Sequence, residues 1–232
     1  MGIVYMEPEE IRRAIDIIHP RDELFECRIL GNDGRNYSGY FRGADELIGR
    51  LSSRSLQNCN VYITLQRLHE GCEARTQWEH FEESGGRGKL VATSDNDVIG
   101  YNWIPIDIDP VRPAAISSDS DELEEALEVC NFVKYFMLDH GHQRYIFSSS
   151  GNGYHLLFAV QMDKATGEHY ISELLKQLDG LFSSGRAHVD TVNSNPARIW
   201  KLYGTLAQKG RSTPDRPHRI ARILEVQGFG NS

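Results

Sequence analysis

Four short stretches hold residue types at spacings that can carry chemistry. In IPIDIDP, at 104–110, Asp107 and Asp109 alternate along an apolar run. Period-two alternation in a strand sends both carboxylates to one face, about 7 Å apart at the backbone, and turns Ile106 and Ile108 into the core. Acids are depleted within strands, and adjacent carboxylates repel unless a cation sits between them. A divalent cation therefore suits the pair; strand-end acids facing water before a Pro turn are the plainer alternative. In SSSGNGYH, at 148–155, a Gly-Asn-Gly break joins two apolar strands. Its backbone N–H groups can face an anion, Ser149 and Ser150 add hydroxyls, and His155 leaves the turn at the head of a strand. A triphosphate fits such a turn; a simple glycine hairpin with a half-buried histidine is the other reading.

Asp190, in HVDTV, ends a short apolar segment after a helical pattern. With Asp107 and Asp109 it makes three carboxylates, a set that can hold two Mg²⁺ or Mn²⁺ ions for attack on phosphorus. In NPARIWKLYGTLAQKG, at 195–210, Arg198 and Lys201 are three apart and would share a face of a helical turn. Arg can fork onto phosphate oxygens and Lys can act as a point charge. Trp200 and Tyr203 beside them offer a stacking surface for a base, or else core aromatics. His218 is a further candidate for the phosphate patch.

The elements that must position these residues belong to a chain of 232 residues, 40% hydrophobic and 25% charged. That composition suits a globular fold and argues against disorder. No run of about 18 apolar residues is present, so no membrane span is expected, and the acidic N-terminus lacks signal-peptide character. A cytoplasmic setting follows as the expectation. The four cysteines are scattered and predict reduced thiols. His69, Cys72 and His80, with Cys59 as the nearest fourth ligand, lack the tight paired spacing of a structural zinc site, so zinc is not expected. The net charge of −8 is uneven: residues 1–140 hold 14 Lys and Arg against 26 Asp and Glu, and residues 141–232 hold 11 against 7. Seven basic residues fall within 198–222 against Asp215 alone, either a solvated face or a phosphate-binding patch.

Apolar periodicity predicts helices at 7–18, 45–51, 121–139 and 168–182, and strands at 23–30, 36–41, 60–66, 102–110, 144–148, 154–160 and 187–190. The 121–139 helix would bury Leu123, Ala126, Leu127, Cys130, Val133 and Met137. The 168–182 helix would bury Ile171, Leu174, Leu175, Leu178 and Phe182. Residues 69–100, with SGGRGK at 84–89, look like a long surface loop, and 195–205 like a helix or tight turn opening on Pro196. From 103 to 190 the order is β-α-β-β-α-β, that of a ferredoxin-like unit.

Taken in order, the DID strand, SGNGYH about forty residues on, HVD and NPARIWKLYGT…KG resemble the archaeo-eukaryotic primase superfamily. Within it they resemble the primase-polymerase domains of plasmids, phages and related mobile elements, which carry a DxD or DxE strand, an SxH or SGxGxH hairpin and a late catalytic Asp. The likeness spans roughly residues 100–220, and residues 1–100 fit it only loosely. It implies an α+β fold: an RRM-like catalytic sheet at 101–232, ending in a basic segment, packed with an N-terminal α+β subdomain at 1–100 as one integrated unit. It implies Asp107, Asp109 and Asp190 as catalytic metal ligands for Mg²⁺ or Mn²⁺. Ser150 and His155 would contact the nucleotide's phosphates, and Arg198 and Lys201 would neutralise them. The implied activity is template-directed nucleotidyl transfer on single-stranded DNA with NTPs or dNTPs, alongside a replicative helicase and in a phage or plasmid setting. Two alternatives stay open. Three carboxylates and two metals also cut phosphodiesters, as in a nuclease or phosphohydrolase, and the fold could serve a non-catalytic replication-initiation module that binds single strands.

Overall fold

The computed structural model describes residues 3–20, 22–77, 79–84 and 91–229. Helix α1 (Pro8–Ile18) opens on proline with Glu9 and Glu10 in its first turn, where a fixed φ and the helix dipole favour them. It buries Ile11, Ala14, Ile15 and Ile18, the stripe that the periodicity predicts. Strands β1 (Phe25–Gly31) and β2 (Asn36–Phe41) form an antiparallel hairpin. Gly34 takes φ 84° in its turn, a conformation that costs glycine little. Then come α2 (Ala44–Ser52), β3 (Cys59–Thr64), β4 (Arg67–Leu68) and β5 (Glu82–Ser84). The second half holds β6 (Val98–Pro110), α3 (Ser120–Asp139), β7 (Tyr145–Ser149), β8 (Tyr154–Asp163), α4 (Lys164–Phe182) and β9 (Ala187–Val189). It ends with β10 (Ile199–Lys201), β11 (Leu206–Ala207), β12 (Arg219–Ile220) and β13 (Arg222–Gln227).

Two antiparallel sheets face each other across a shared core. The first runs β10-β3-β1-β2-β5; the second runs β13-β7-β8-β6, with β4 and β9 pairing at the two ends of β6. Within the second, the order β9-β6-β8-β7 is that of the ferredoxin-like βαββαβ unit. Alternation along β6 sends Ile104, Ile106 and Ile108 under α3 and α4, where they meet Ala126, Cys130, Val133, Ile171, Leu175 and Leu178. The opposite face of that sheet contributes Trp103, Ile146 and Leu157 to the core shared with α1, α2, β1 and β3. The sheets do not divide at residue 100: β4 joins the second sheet, and β10 crosses back to pair with β3.

Several expectations are corrected. Residues 69–100 are not a continuous surface loop. A 3₁₀ turn at Glu70–Arg75 buries Cys72, β5 adds an edge strand, and Arg75 grips Asp97 at 2.6 Å. Cys72 packs with Leu24, Tyr40, Leu68 and Val98, while His69 Nδ1 accepts from Gly71 N. Strand β6 begins four residues earlier than predicted, at Val98. SGGRGK lies outside the described residues apart from Ser84. In α3, Val129 is buried whereas Leu123 and Leu127 are half-buried; in α4, Leu174 and Phe182 are half-buried. Residues 199–201 form a strand, not a helical turn, because β3 offers an unpaired edge there. Among the described residues no helix is long and apolar enough to cross a membrane.

The approach of α4 to β6 depends on Gly167. A Cβ there would stand 2.3 Å from Tyr101 Cδ2. Tyr101 is fully buried, with its hydroxyl donating to Ser194 O at 3.1 Å, so the ring has nowhere to go. A Cβ on Gly180 of the same helix would meet nothing within 4 Å. Gly167→Ala is expected to lower stability by about 1–3 kcal/mol, and Gly180→Ala to raise it by about 0.5–1 kcal/mol. Denaturant unfolding measures both, and a stabilising Gly167→Ala would show that this contact is not tight.

Candidate active site

The site is built by strand register. Asp107 on β6 stands opposite His155 on β8. On the other edge, Ile108 pairs with Val189 and Asp109 with His188 of β9, and Asp190 N donates to Asp107 O at 2.9 Å. Asp190 thus continues the β9 register to a place beside Asp107, on the same sheet face. Asp107, Asp109 and Asp190 all line one cleft of about 820 Å³, together with Ser150, His155, Arg198 and Lys201. The sequence therefore named seven residues that the fold brings to a single cleft. Another cleft of about 750 Å³, beside Asp16, Trp103, Arg144 and Phe229, shares none of these residues.

Electrostatics mark Asp107 as the most stressed group. Its side chain is 20% exposed, yet its Oδ1 is shut from solvent without a hydrogen-bond partner. Burial pushes its pKa well up, and the charges of Asp109 and Asp190 push further. Two arginines offset the cluster: Arg112 Nη1 lies 3.2 Å from Asp109 Oδ1, and Arg198 Nη2 lies 3.5 Å from Asp190 Oδ2. His155 is kept neutral, its pKa lowered to about 3 by burial and by nearby Lys201. Burial lowers Lys201 to about 7; its Nζ donates to Leu206 O at 3.0 Å and lies 5.6 Å from the Tyr62 ring centroid.

A divalent cation suits this donor set, since an orphaned carboxylate oxygen lies between two further carboxylates. As the side chains stand, no trio of His, Cys, Asp or Glu among the described residues is close enough to cage an ion. Asp109 is turned onto Arg112 and Asp190 onto Arg198, and Asp190 Oδ1 also accepts from Val192 N at 2.9 Å. Closing a cage requires those carboxylates to change rotamer.

Other expectations are corrected here. The hairpin's N–H groups do not all point at the cleft: Gly151 N donates to Ser149 Oγ and Asn152 N to Ser150 Oγ. Serine hydroxyls capture nearby backbone donors in tight turns. Trp200 and Tyr203 are 2% and 0% exposed, so neither can stack a base. Much of the basic run at 198–222 is spent internally. Arg216 grips Asp119 and Glu122, Arg222 pairs with Glu7, and Arg219 donates to Ser118 O. His218 Nε2 bonds to Gly210 O. Lys209 and Arg211 remain exposed.

Three residues were missed. Arg112, its side chain 7% exposed, bonds to Asp109 and to the carbonyls of Pro110, Ile116 and Asn152, tying the DID strand to the hairpin. Its signal is present, since Arg112 and Lys134 are the only cations in 101–140. Asn193 holds Arg198 through its Oδ1 at 2.9 Å. Tyr62 brings the first sheet to the cleft wall. Neither of these two carried a sequence signal.

The chain fits no protein-family model, and no curated protein matches it in sequence. Solved structures match it in shape. Primase RepB′ superposes with a TM-score of 0.51 at 13% identity, over 96% of this chain and 57% of that one. The polymerase domain of ligase D from Mycobacterium tuberculosis, solved in complex with DNA, superposes with a TM-score of 0.51 at 11% identity, over 92% and 79%. With the β6-α3-β7-β8-α4-β9 order already described, they establish the architecture: this chain shares the fold of that primase and that polymerase domain. It spans a little over half the length of the RepB′ chain.

Because the native pKa of Asp107 is raised, its contribution to stability is full below the ordinary carboxylate pKa of about 4 and is lost as pH rises through the native value. Asp107→Asn removes that loss. The variant is expected to be more stable than wild type by about 1–2 kcal/mol at pH 7.5 in chelator, with the gap closing near pH 4. Thermal unfolding at the two pH values checks this, and an equal or lower Tm at pH 7.5 would refute the buried-charge account.

Proposed function

We propose that the protein is a template-directed nucleotidyltransferase, a primase-polymerase that makes or extends primers on single-stranded DNA. The observation that carries the proposal is the convergence of Asp107, Asp109 and Asp190 with Ser150, His155, Arg198 and Lys201 in one cleft. The fold likeness to a primase and to a polymerase domain solved with DNA supports it.

In this reading Asp107, Asp109 and Asp190 hold two Mg²⁺ or Mn²⁺ ions. Bound there, the ions supply the charge that activates a primer 3′-oxygen and stabilises departing pyrophosphate. The chain's own residues bind and orient. Arg198, steadied by Asn193 and 40% exposed, presents its guanidinium to phosphate oxygens. Ser150 and His155 hydrogen-bond to the same phosphates, and Lys201 adds a charge from the β10 wall. Arg112 ties the hairpin to the end of β6 through the carbonyls of Asn152 and Pro110, so that nucleotide and carboxylates stay in line. Lys209 and Arg211 meet the DNA backbone, a contact that needs charge and not base recognition.

The direct test supplies single-stranded DNA, primed and unprimed, with NTPs or dNTPs and Mn²⁺. Wild type is expected to yield product, and Asp107→Ala with Asp109→Ala none above background. Equal product from the double variant would end the proposal, and nucleotide-independent degradation of labelled DNA would mark a nuclease instead.

Lys201 gives a separate handle. Its pKa of about 7 means that its charge fades as pH rises above neutrality. Triphosphate affinity is expected to weaken between pH 7 and pH 9 in wild type. In Lys201→Met it should be weaker at pH 7 and flat across the window. Titration of a fluorescent nucleotide measures this, and a flat wild-type profile would remove Lys201 from the phosphate site.

A further inference from the structure

Under the floor of the cleft runs a chain of polar groups that phosphate binding does not by itself require. Trp200 Nε1 donates to Tyr203 Oη at 2.8 Å. Tyr203 Oη lies 3.1 Å from His155 Nδ1, and His155 Nε2 lies 3.4 Å from Asp107 Oδ1. All three rings are buried, and the indole packs on the imidazole with centroids 4.0 Å apart. His155 therefore cannot flip without displacing Trp200.

Counting donors gives the direction of the chain. An indole N–H only donates, so the Tyr203 oxygen accepts from Trp200 and keeps one proton to give. Ser148, the β7 neighbour of His155 in register, is the other polar side chain beside Tyr203; its hydroxyl acts on the Tyr203 oxygen as a donor, as the indole does, and has no other partner. That leaves His155 Nδ1 as the acceptor. At the other end, Nε2 faces a carboxylate oxygen, which repels a lone pair and attracts an N–H. With the Asp107 carboxylate ionised, both ends demand the same tautomer.

We infer that Tyr203 is a positioning residue that fixes His155 in its Nε2–H form, so that the imidazole offers the cleft a hydrogen-bond donor and serves neither as a base nor as a metal ligand. Such a donor takes an acceptor-only ligand, and a phosphate oxygen is one. This deepens the nucleotide-binding reading and rests on it only for the identity of that ligand.

Histidine-selective ¹⁵N–¹H spectra of the whole protein without nucleotide read the tautomer directly, with His155 assigned by its loss in His155→Gln. The expected spectrum has a proton on Nε2 and a bare Nδ1. In Tyr203→Phe, which removes only the hydroxyl, both tautomers are expected. A wild-type proton on Nδ1, or on both nitrogens, overturns the inference, as does an unchanged spectrum in Tyr203→Phe. If that variant does not fold, the wild-type spectrum alone decides. A binding arm tests the ligand: Tyr203→Phe should weaken triphosphate binding about three- to tenfold, the worth of one hydrogen bond. The expected tautomer shift with unchanged triphosphate binding would uphold the role of Tyr203 and count against the nucleotide-binding reading.

Discussion

Three carboxylates held at neighbouring register positions on one sheet face are the constraint around which the rest of the molecule is arranged. Ionised side by side, with one Asp107 oxygen cut off from water, they push each other apart and away from the core. The backbone prevents this. Strand β6 is clamped along one edge by β8 and at its end by β9, and its apolar face is pressed under α3 and α4. Arg112 and Arg198 lower the repulsion from either side, and each is itself anchored, the first by three carbonyls and the second by Asn193. Close-packed β-branched and aromatic residues beneath the strand leave it little freedom to relax.

The same constraint explains how an acidic protein gathers arginine and lysine side chains in one cleft. Net charge is a poor guide because the cations are placed by pairing. Arg216, Arg219 and Arg222 fasten the segment at 216–222 to the start of α3 and to Glu7 at the head of α1. Lys201 and Arg198 reach the cleft because the chain leaves the second sheet after β9 and β10 joins β3 in the first. The wall opposite the aspartates therefore comes from both halves of the chain.

Legibility differed between parts of the site for physical reasons. The DID strand could be read because two acids interrupting an apolar run violate strand preference, and such a violation calls for an explanation. The βαββαβ order followed from helix and strand periodicities that differ clearly. Arg112 was overlooked although only one other cation shares its segment, because its importance comes from carbonyls of a hairpin forty residues away. Asn193 and Tyr62 could not be found at all, since an asparagine in a short 3₁₀ turn and a tyrosine in a strand have many ordinary uses. The tight turn at Pro196 was read correctly, but the strand at 199–201 was missed because proline and spacing speak only locally, while the open edge of β3 is a property of the assembled sheet.

Sequence alone determined which residues alternate, which stripes are apolar and where the chain turns, because these depend on neighbours within a few positions. It therefore specified the helices flanking β6 and the pairing of Asp107 with Asp109 on one face. Tertiary structure decided what lies beside that face: His155 across one edge, Asp190 across the other, and Trp200 and Tyr203 turned inward as core and not outward as a platform. Those placements depend on strand register and on which surfaces compete for burial, and both are settled only when distant segments pack together.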